Sequence, residues 1–253
     1  MPAEIGAGMT GPVRIAMWSG PRNISTAMMR AFENRSDCVV SDEPFYGCYL
    51  KRTGIDHPMA DRIIDDMDCD FDNVARALKG PVPGGAAVWY QKHMSHHMLP
   101  DDDLSWSDGM AHCFLIRQPD AMVASYAKKR ETPAASDFGF DRLGELFDQV
   151  ADRKGAVPPV LDAADVLRDP RRALTALCDA VGIPFDDAML AWPPGRRDSD
   201  GIWADVWYAS VEASTGFLPY DPVPVRLSPE LRAVADACRP AYERLAEHRL
   251  LRN

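Results

Sequence analysis

Apolar residues recur along this chain in short runs, separated by stretches with helical spacing. Val13-Arg14-Ile15-Ala16-Met17-Trp18 reads as a strand that breaks at Ser19-Gly20-Pro21. Ile24, Met28, Ala31 and Phe32 then mark one face of a helix from Ser25 to about Asn34. Cys38-Val39-Val40 predicts a short buried strand, which Pro44 stops. Met59, Ile63, Met67 and Phe71, four apart, predict one polar helical stretch over 59–79. After the turn cluster Pro81 to Gly85, Ala86 to Tyr90 predicts a third strand leading into Gln91-Lys92-His93, and His112 to Arg117 predicts a fourth. A helix follows through about Lys129, then a flexible connection over 130–139 and a helix from Asp141 to Arg153. Val157 to Leu161 predicts a fifth strand, Pro170 to Val181 a helix closed by Gly182, and Pro229 to Leu250 a last helix kinked at Pro240. Residues 1–12, rich in Gly, Ala and Pro, read as a loose leader.

Strands alternating with helices predict an α/β fold, a three-layer sandwich around a mainly parallel sheet. No break in composition marks a second unit, so residues 1–253 read as one domain. In such sheets ligands bind beyond the carboxyl ends of the strands. The suggestive residues fall there repeatedly: Arg22 after the first strand, Asp42 and Glu43 after the second, Lys92 and His93 after the third, Arg117 at the end of the fourth.

Composition narrows the choice of ligand. A net charge of −10 argues against a nucleic-acid partner, so an anion site must be built locally from gathered Arg and Lys. Six cysteines without a C-x-x-C pair read as reduced cytosolic thiols, and no apolar run nears the roughly 20 residues that span a bilayer. With no export signal in view, the expectation is a cytoplasmic protein without a membrane partner.

The break after the first strand carries Gly20, Pro21, Arg22, Asn23, Ile24, Ser25 and Thr26. Strand, tight loop and helix start bring backbone N–H groups to bear on an anion. It is not a Walker A loop, because no lysine precedes Ser25-Thr26, and that disfavours an ATPase, a GTPase or a small-molecule kinase. Pro21-Arg22-x-x-Ser25-Thr26 instead resembles the phosphosulfate loop of the sulfotransferases that use 3′-phosphoadenosine 5′-phosphosulfate (PAPS), with Asn23-Ile24 in place of the usual Ser-Gly. Arg117-Gln118-Pro119 with Ser125 resembles that family's 3′-phosphate element, and Gly195-Arg196-Arg197 occupies the place of its basic loop over the nucleotide. Leu161 to Pro184 resembles a scaffold segment of the same family.

The resemblance implies a P-loop, nucleotide-binding transferase that moves a sulfuryl group from PAPS to a hydroxyl or amine of a small molecule, with no metal. Arg22 and Lys92 would then stabilise charge on the leaving phosphate, and Arg196 and Arg197 would clamp the 3′-phosphate. A general base is needed. In Lys92-His93-Met94-Ser95-His96-His97 either His93 or His96 fits, and Glu43 is the third candidate. Trp203, Trp207, Tyr208 and Phe217 are open between acceptor pocket and core, Tyr126 reads as a packing residue, and Asp101-Asp102-Asp103 as a solvated loop. A rival reading keeps the fold and nucleotide binding without transfer.

Overall fold

The structure, a computed structural model, describes residues 11–128, 133–221 and 225–251. The leader 1–10 and the start of the 130–139 connection lie outside the described residues.

Five strands form one all-parallel sheet: β1 (Val13–Ser19), β2 (Cys38–Asp42), β3 (Val88–Met94), β4 (Ala111–Ile116) and β5 (Val160–Asp162), in the order β2-β3-β1-β4-β5. Alternation along β1 sorts its side chains into two cores. Ala16 and Trp18 join Trp89, Phe114 and Ile116 on one face, whereas Val13, Ile15 and Met17 join Val88, Tyr90 and Leu115 on the other. The first face is covered by α4 (Phe71–Lys79), α5 (Pro119–Ala127), α6 (Phe140–Lys154) and α11 (Pro229–Ala246). The second is covered by α1 (Ser25–Glu33), α7 (Ala163–Arg168) and α8 (Pro170–Val181). This is the expected three-layer α/β sandwich. A third, smaller cluster packs α2 (Tyr46–Thr53) and α3 (Ala60–Asp66) against α9 (Ala204–Trp207), with α10 (Ala209–Glu212) following directly.

The chain departs from the sequence reading in several places. Residues 59–79 form two helices, α3 and α4, because Met67 leaves the helix in an extended conformation and Asp70 caps a new one by accepting from the Asn73 N–H. β3 continues through Gln91, Lys92 and His93, all buried, since their polar atoms find partners inside the protein. β2 is an edge strand and only half-buried. β5 shortens to three residues, and the chain beyond α11 runs alongside it, the Leu250 N–H donating to the Val160 carbonyl. α11 passes through Pro240 without a break. Gly182 closes α8 at φ 75°, as expected.

The strand order places the cleft. From β1 the chain moves to one side of the sheet (β2, β3) and then to the other (β4, β5), so the loops leaving β1 and β4 diverge and leave a crevice at the switch point. Gly20 sits where this crevice meets the 3-10 turn Ala135–Phe138. A Cβ there would run into the Phe138 carbonyl oxygen and crowd the Met122 methyl. Gly20→Ala is therefore expected to cost about 1–3 kcal/mol, read as a lower denaturation midpoint, because backbone rather than a side chain must move.

Candidate functional site

A cleft of about 910 Å³ opens at the carboxyl ends of the strands, lined by the loop after β1, the ends of β2 and β3, the start of α5 and the segment from Trp203 to Asp221. Pro21 to Thr26, Glu43, Lys92, His96, Arg117 and Ser125 all lie on its wall.

One end is built for an anion. Arg22 and Ile24 both take positive φ, 59° and 48°, and Ile24 is the N-cap of α1 with no side-chain cap. A non-glycine residue in this region costs about 1–2 kcal/mol, and left-handed residues alternating with right-handed ones are how backbone forms an anion-binding nest. Ile24 thus adopts the conformation in which the resembling loops carry glycine. Asn23 pins the loop from beneath, its side-chain amide donating to the Leu115 carbonyl at the end of β4. The first N–H groups of α1 have no partner within the helix and stay available, flanked by the Ser25 and Thr26 hydroxyls on the cleft wall.

Arg22, Arg117 and Ser125 meet here. The Arg22 Nε donates to the Ser125 Oγ at 3.1 Å, and the Arg117 Nη1 donates to the Arg22 carbonyl at 2.7 Å. Neither guanidinium has a carboxylate partner among the described residues, although the chain carries ten more negative than positive charges. Burial pushes both below the usual guanidinium range; for Arg117 repulsion from Arg22 adds to this and attraction to Asp162 opposes it. Two half-buried cations side by side, neither in an ion pair among the described residues, form a site that an anion completes.

The other end is built around an acid. The β2–β3 register pairs Asp42 with Lys92, and the Lys92 Nζ donates to Asp42 Oδ1 (2.8 Å), Glu43 Oε1 (2.6 Å) and the Tyr208 hydroxyl (2.5 Å). Its three donors are spent. Burial alone would lower the Lys92 pKa, but Asp42 and Glu43 hold it well above the usual ammonium range, so it stays charged. Lys92 therefore stands as the residue that fixes Glu43, with no proton left for a leaving phosphate. Tyr208 closes the cluster by donating to Asp42 Oδ2 at 2.7 Å, with Trp203 Nε1 donating to the Tyr208 hydroxyl at 3.1 Å.

Glu43 leaves β2 at φ 46° and its carboxyl is buried. Burial raises its pKa above the carboxylate range; Lys92 opposes the shift and Asp42 adds to it. Because Lys92 shares its charge with Asp42, burial prevails and the direction is up. The second oxygen, Oε2, faces the His97 Nε2 at 3.9 Å, beyond hydrogen-bond reach. That leaves a carboxylate oxygen with a raised proton affinity on the cleft wall.

The histidines separate. His93 is placed off the cleft wall: it stacks on Trp18, its β1 neighbour, at 4.6 Å, and burial lowers its pKa to about 3. Consecutive residues of a strand point to opposite faces, so with Lys92 in the cleft His93 goes into the core. His96 does line the cleft, with Nδ1 lacking a hydrogen-bond partner, but burial and His57 lower it to about 4, which makes it a weak base near neutrality.

Arg196 and Arg197 are also turned away from the cleft. Arg196 pairs with Asp205, and Arg197 donates to the Pro193 carbonyl from one end of a strap laced onto α1. In that strap Asp200 accepts from the buried Arg30 at 2.6 Å and Ser199 donates to Glu33 at 2.5 Å. Asp205 takes up Arg196, and Asp200 accepts from the Arg197 backbone N–H and from Arg30. Among the described residues no group of three or more His, Cys, Asp or Glu could hold a metal ion, and no helix is long and apolar enough to cross a membrane.

Sequence reasoning missed Tyr46 and His57, joined by a 2.8 Å hydrogen bond on the cleft wall. Nothing in the pattern of the 45–60 stretch distinguished them from loop residues. Tyr126, expected only to pack, lines the cleft, as do Trp203, Trp207, Tyr208 and Phe217.

Two curated proteins of Arabidopsis thaliana resemble this chain. "Branched-chain-amino-acid aminotransferase-like protein 1" is 36% identical over 214 residues, covering 83% of this chain and 37% of its own length. "Branched-chain-amino-acid aminotransferase-like protein 2" is 35% identical over 237 residues, covering 92% and 41%. The chain thus spans about two fifths of the length of these relatives, and what their names say of amino-acid chemistry is said of those proteins. Among solved structures, the sulfotransferase domain from the curacin biosynthetic pathway superposes with a TM-score of 0.52 at 14% identity, covering 91% of this chain and 98% of that one. A sulfotransferase from Alicyclobacillus acidocaldarius gives 0.53 at 14% identity, covering 95% and 97%. The family model described as "Sulfotransferase domain" matches residues 13–245, and the chain belongs to that family.

Proposed function

We propose that this protein transfers a sulfuryl group from PAPS to a hydroxyl or amine of a small molecule, with Glu43 as the general base. The observation that carries the reading is the pair Arg22–Arg117, two half-buried guanidiniums joined through the Arg22 carbonyl and in no ion pair among the described residues. This pair, the uncapped start of α1 and the Ser25, Thr26 and Ser125 hydroxyls fit a nucleotide phosphorylated at both ends.

When bound, PAPS supplies the sulfuryl group: the bond from sulfur to the bridging phosphate oxygen breaks as a bond to the acceptor oxygen or nitrogen forms, and adenosine 3′,5′-bisphosphate departs. The Arg22 guanidinium and the loop N–H groups stabilise the charge growing on the departing phosphate. Arg117 and Ser125 distinguish a 3′-phosphorylated nucleotide from AMP. Glu43 takes the acceptor's proton, and Lys92, held by Asp42 and Tyr208, keeps the Glu43 carboxyl oriented. The cleft brings base and acceptor together.

Ligand-dependent melting tests this. Adenosine 3′,5′-bisphosphate is expected to raise the midpoint without magnesium and AMP to raise it far less, because a ligand's stabilisation grows with the logarithm of its concentration over its Kd. Equal shifts from the two nucleotides would sink the assignment.

A further inference from the structure

The acceptor end of the cleft carries its own chemical signature. Its walls are aromatic: Tyr46 meets Trp203 at 5.1 Å between ring centroids, and Tyr126 meets Trp207 at 6.4 Å in a stacked arrangement. The imidazole of His57 bridges these two pairs, 5.6 Å from Tyr46 and 5.8 Å from Trp207. The rings thus form a continuous surface leading away from Glu43.

The charge of this end is negative. Lys92 touches two carboxylates, Asp42 and Glu43, so whenever Glu43 is ionised, as its role as a base requires, the cluster is net negative. Asp137 adds a further carboxyl on the cleft wall. His96 and His97, which could have balanced these acids, are held neutral by burial. Among the described residues the other cations on the wall are Arg22 and Arg117, at the phosphate end, and Lys128, which is solvent-exposed and screened. Aromatic faces beside carboxylate are what recognises an organic cation, whereas a carboxylate or phosphate on the acceptor would meet like charge there.

We propose that the acceptor is a hydroxylated organic cation, an alcohol or phenol that also carries a protonated or quaternary amine. The hydroxyl lies toward Glu43, and the amine lies against the rings of Trp203, Trp207 and Tyr126. This rests on the sulfuryl-transfer reading and extends it to the substrate class.

Three probes of nearly equal shape separate charge from size: tyramine (cationic), 4-ethylphenol (neutral) and 4-hydroxyphenylacetate (anionic). Each is titrated into the full chain saturated with adenosine 3′,5′-bisphosphate, with tryptophan fluorescence read because Trp203 and Trp207 line the site. Tyramine is expected to bind about three- to thirtyfold more tightly than 4-ethylphenol, the range of one cation–π site, and 4-hydroxyphenylacetate most weakly. In Trp207→Leu, which keeps an apolar side chain at a half-buried position, the tyramine preference should shrink while bisphosphate binding persists. Equal binding of tyramine and 4-ethylphenol, a preference for the anion, or no response to any of the three overturns the proposal. Binding of the bisphosphate is measured in the same samples, so failure of the substrate class is distinguishable from failure of the nucleotide assignment.

Discussion

Replacing Arg117 with Ala is expected to erase the preference for adenosine 3′,5′-bisphosphate over AMP while leaving the stability of the unliganded protein nearly unchanged. The two halves of this expectation share one cause. Arg117 is half-buried against Arg22 and in no ion pair among the described residues, so in the free protein it carries desolvation and like-charge repulsion, offset by its bond to the Arg22 carbonyl and by attraction to Asp162. Removing it relieves the repulsion, and the unliganded midpoint should change by no more than the equivalent of about 1 kcal/mol, either way. In the complex the balance reverses. A charge-assisted contact to a 3′-phosphate contributes about 1.5–3 kcal/mol, so affinity for the bisphosphate should fall about ten- to hundredfold and affinity for AMP much less. Arg117→Lys keeps the charge but loses the forked donors, and should recover only part of the difference. Melting curves of the three proteins with each nucleotide check all of this. A bisphosphate preference that survives in Arg117→Ala would remove Arg117 from the site.

How far the site was legible in the sequence depends on what placed each residue. Arg22, Arg117 and Ser125 could be placed on one cleft in advance, because strand-loop-helix punctuation sets the carboxyl ends of β1 and β4 and an α/β sheet puts its ligands there, but their direct contact was not legible. The three-layer architecture followed from the same alternation of strands and helices. The choice among Lys92, His93 and His96 was not legible, because it turns on parity. Reading β3 as ending at Tyr90 left the next residues on a loop, where any of them could face the ligand; the strand runs to Met94 and sends Lys92 and His93 to opposite faces. Arg196 and Arg197 failed for a different reason. Their motif was right for a basic loop, but Asp200 and Asp205 a few residues on, with Glu33 on α1, draw the segment onto the protein itself. Ile24 shows the limit of a glycine argument: the left-handed conformation is present without the glycine, and the loop carries the strain. Tyr208 reaches Lys92 across 116 residues of sequence, a distance at which no local pattern reports contact.

Glu43→Gln should abolish turnover and leave nucleotide binding intact. The substitution keeps the size of the side chain and an oxygen that can still accept from Lys92, so the Asp42–Lys92–Tyr208 cluster should hold. What disappears is the only property of Glu43 that transfer uses, the ability to take a proton. Loss of a positioned base costs about a hundred- to ten-thousandfold, and a change confined to that step lowers kcat and kcat/KM together. His96→Gln, the other cleft-lining candidate, should lose much less, since an imidazole held near 4 is a poor proton acceptor. The pH profile supplies an independent check, with its sign set by burial. The Glu43 pKa is raised, so the group stays protonated, and therefore inactive as a base, to a higher pH than an exposed glutamate. Turnover should rise with pH across a single acidic limb displaced upward from the ordinary carboxylate range, and that limb should be missing from whatever activity Glu43→Gln retains. Were Glu43→Gln to turn over at the wild-type rate with the limb in place, the proton would have to leave by another group, and the buried Asp42–Glu43–Lys92 cluster would then serve only to hold β2 against β3.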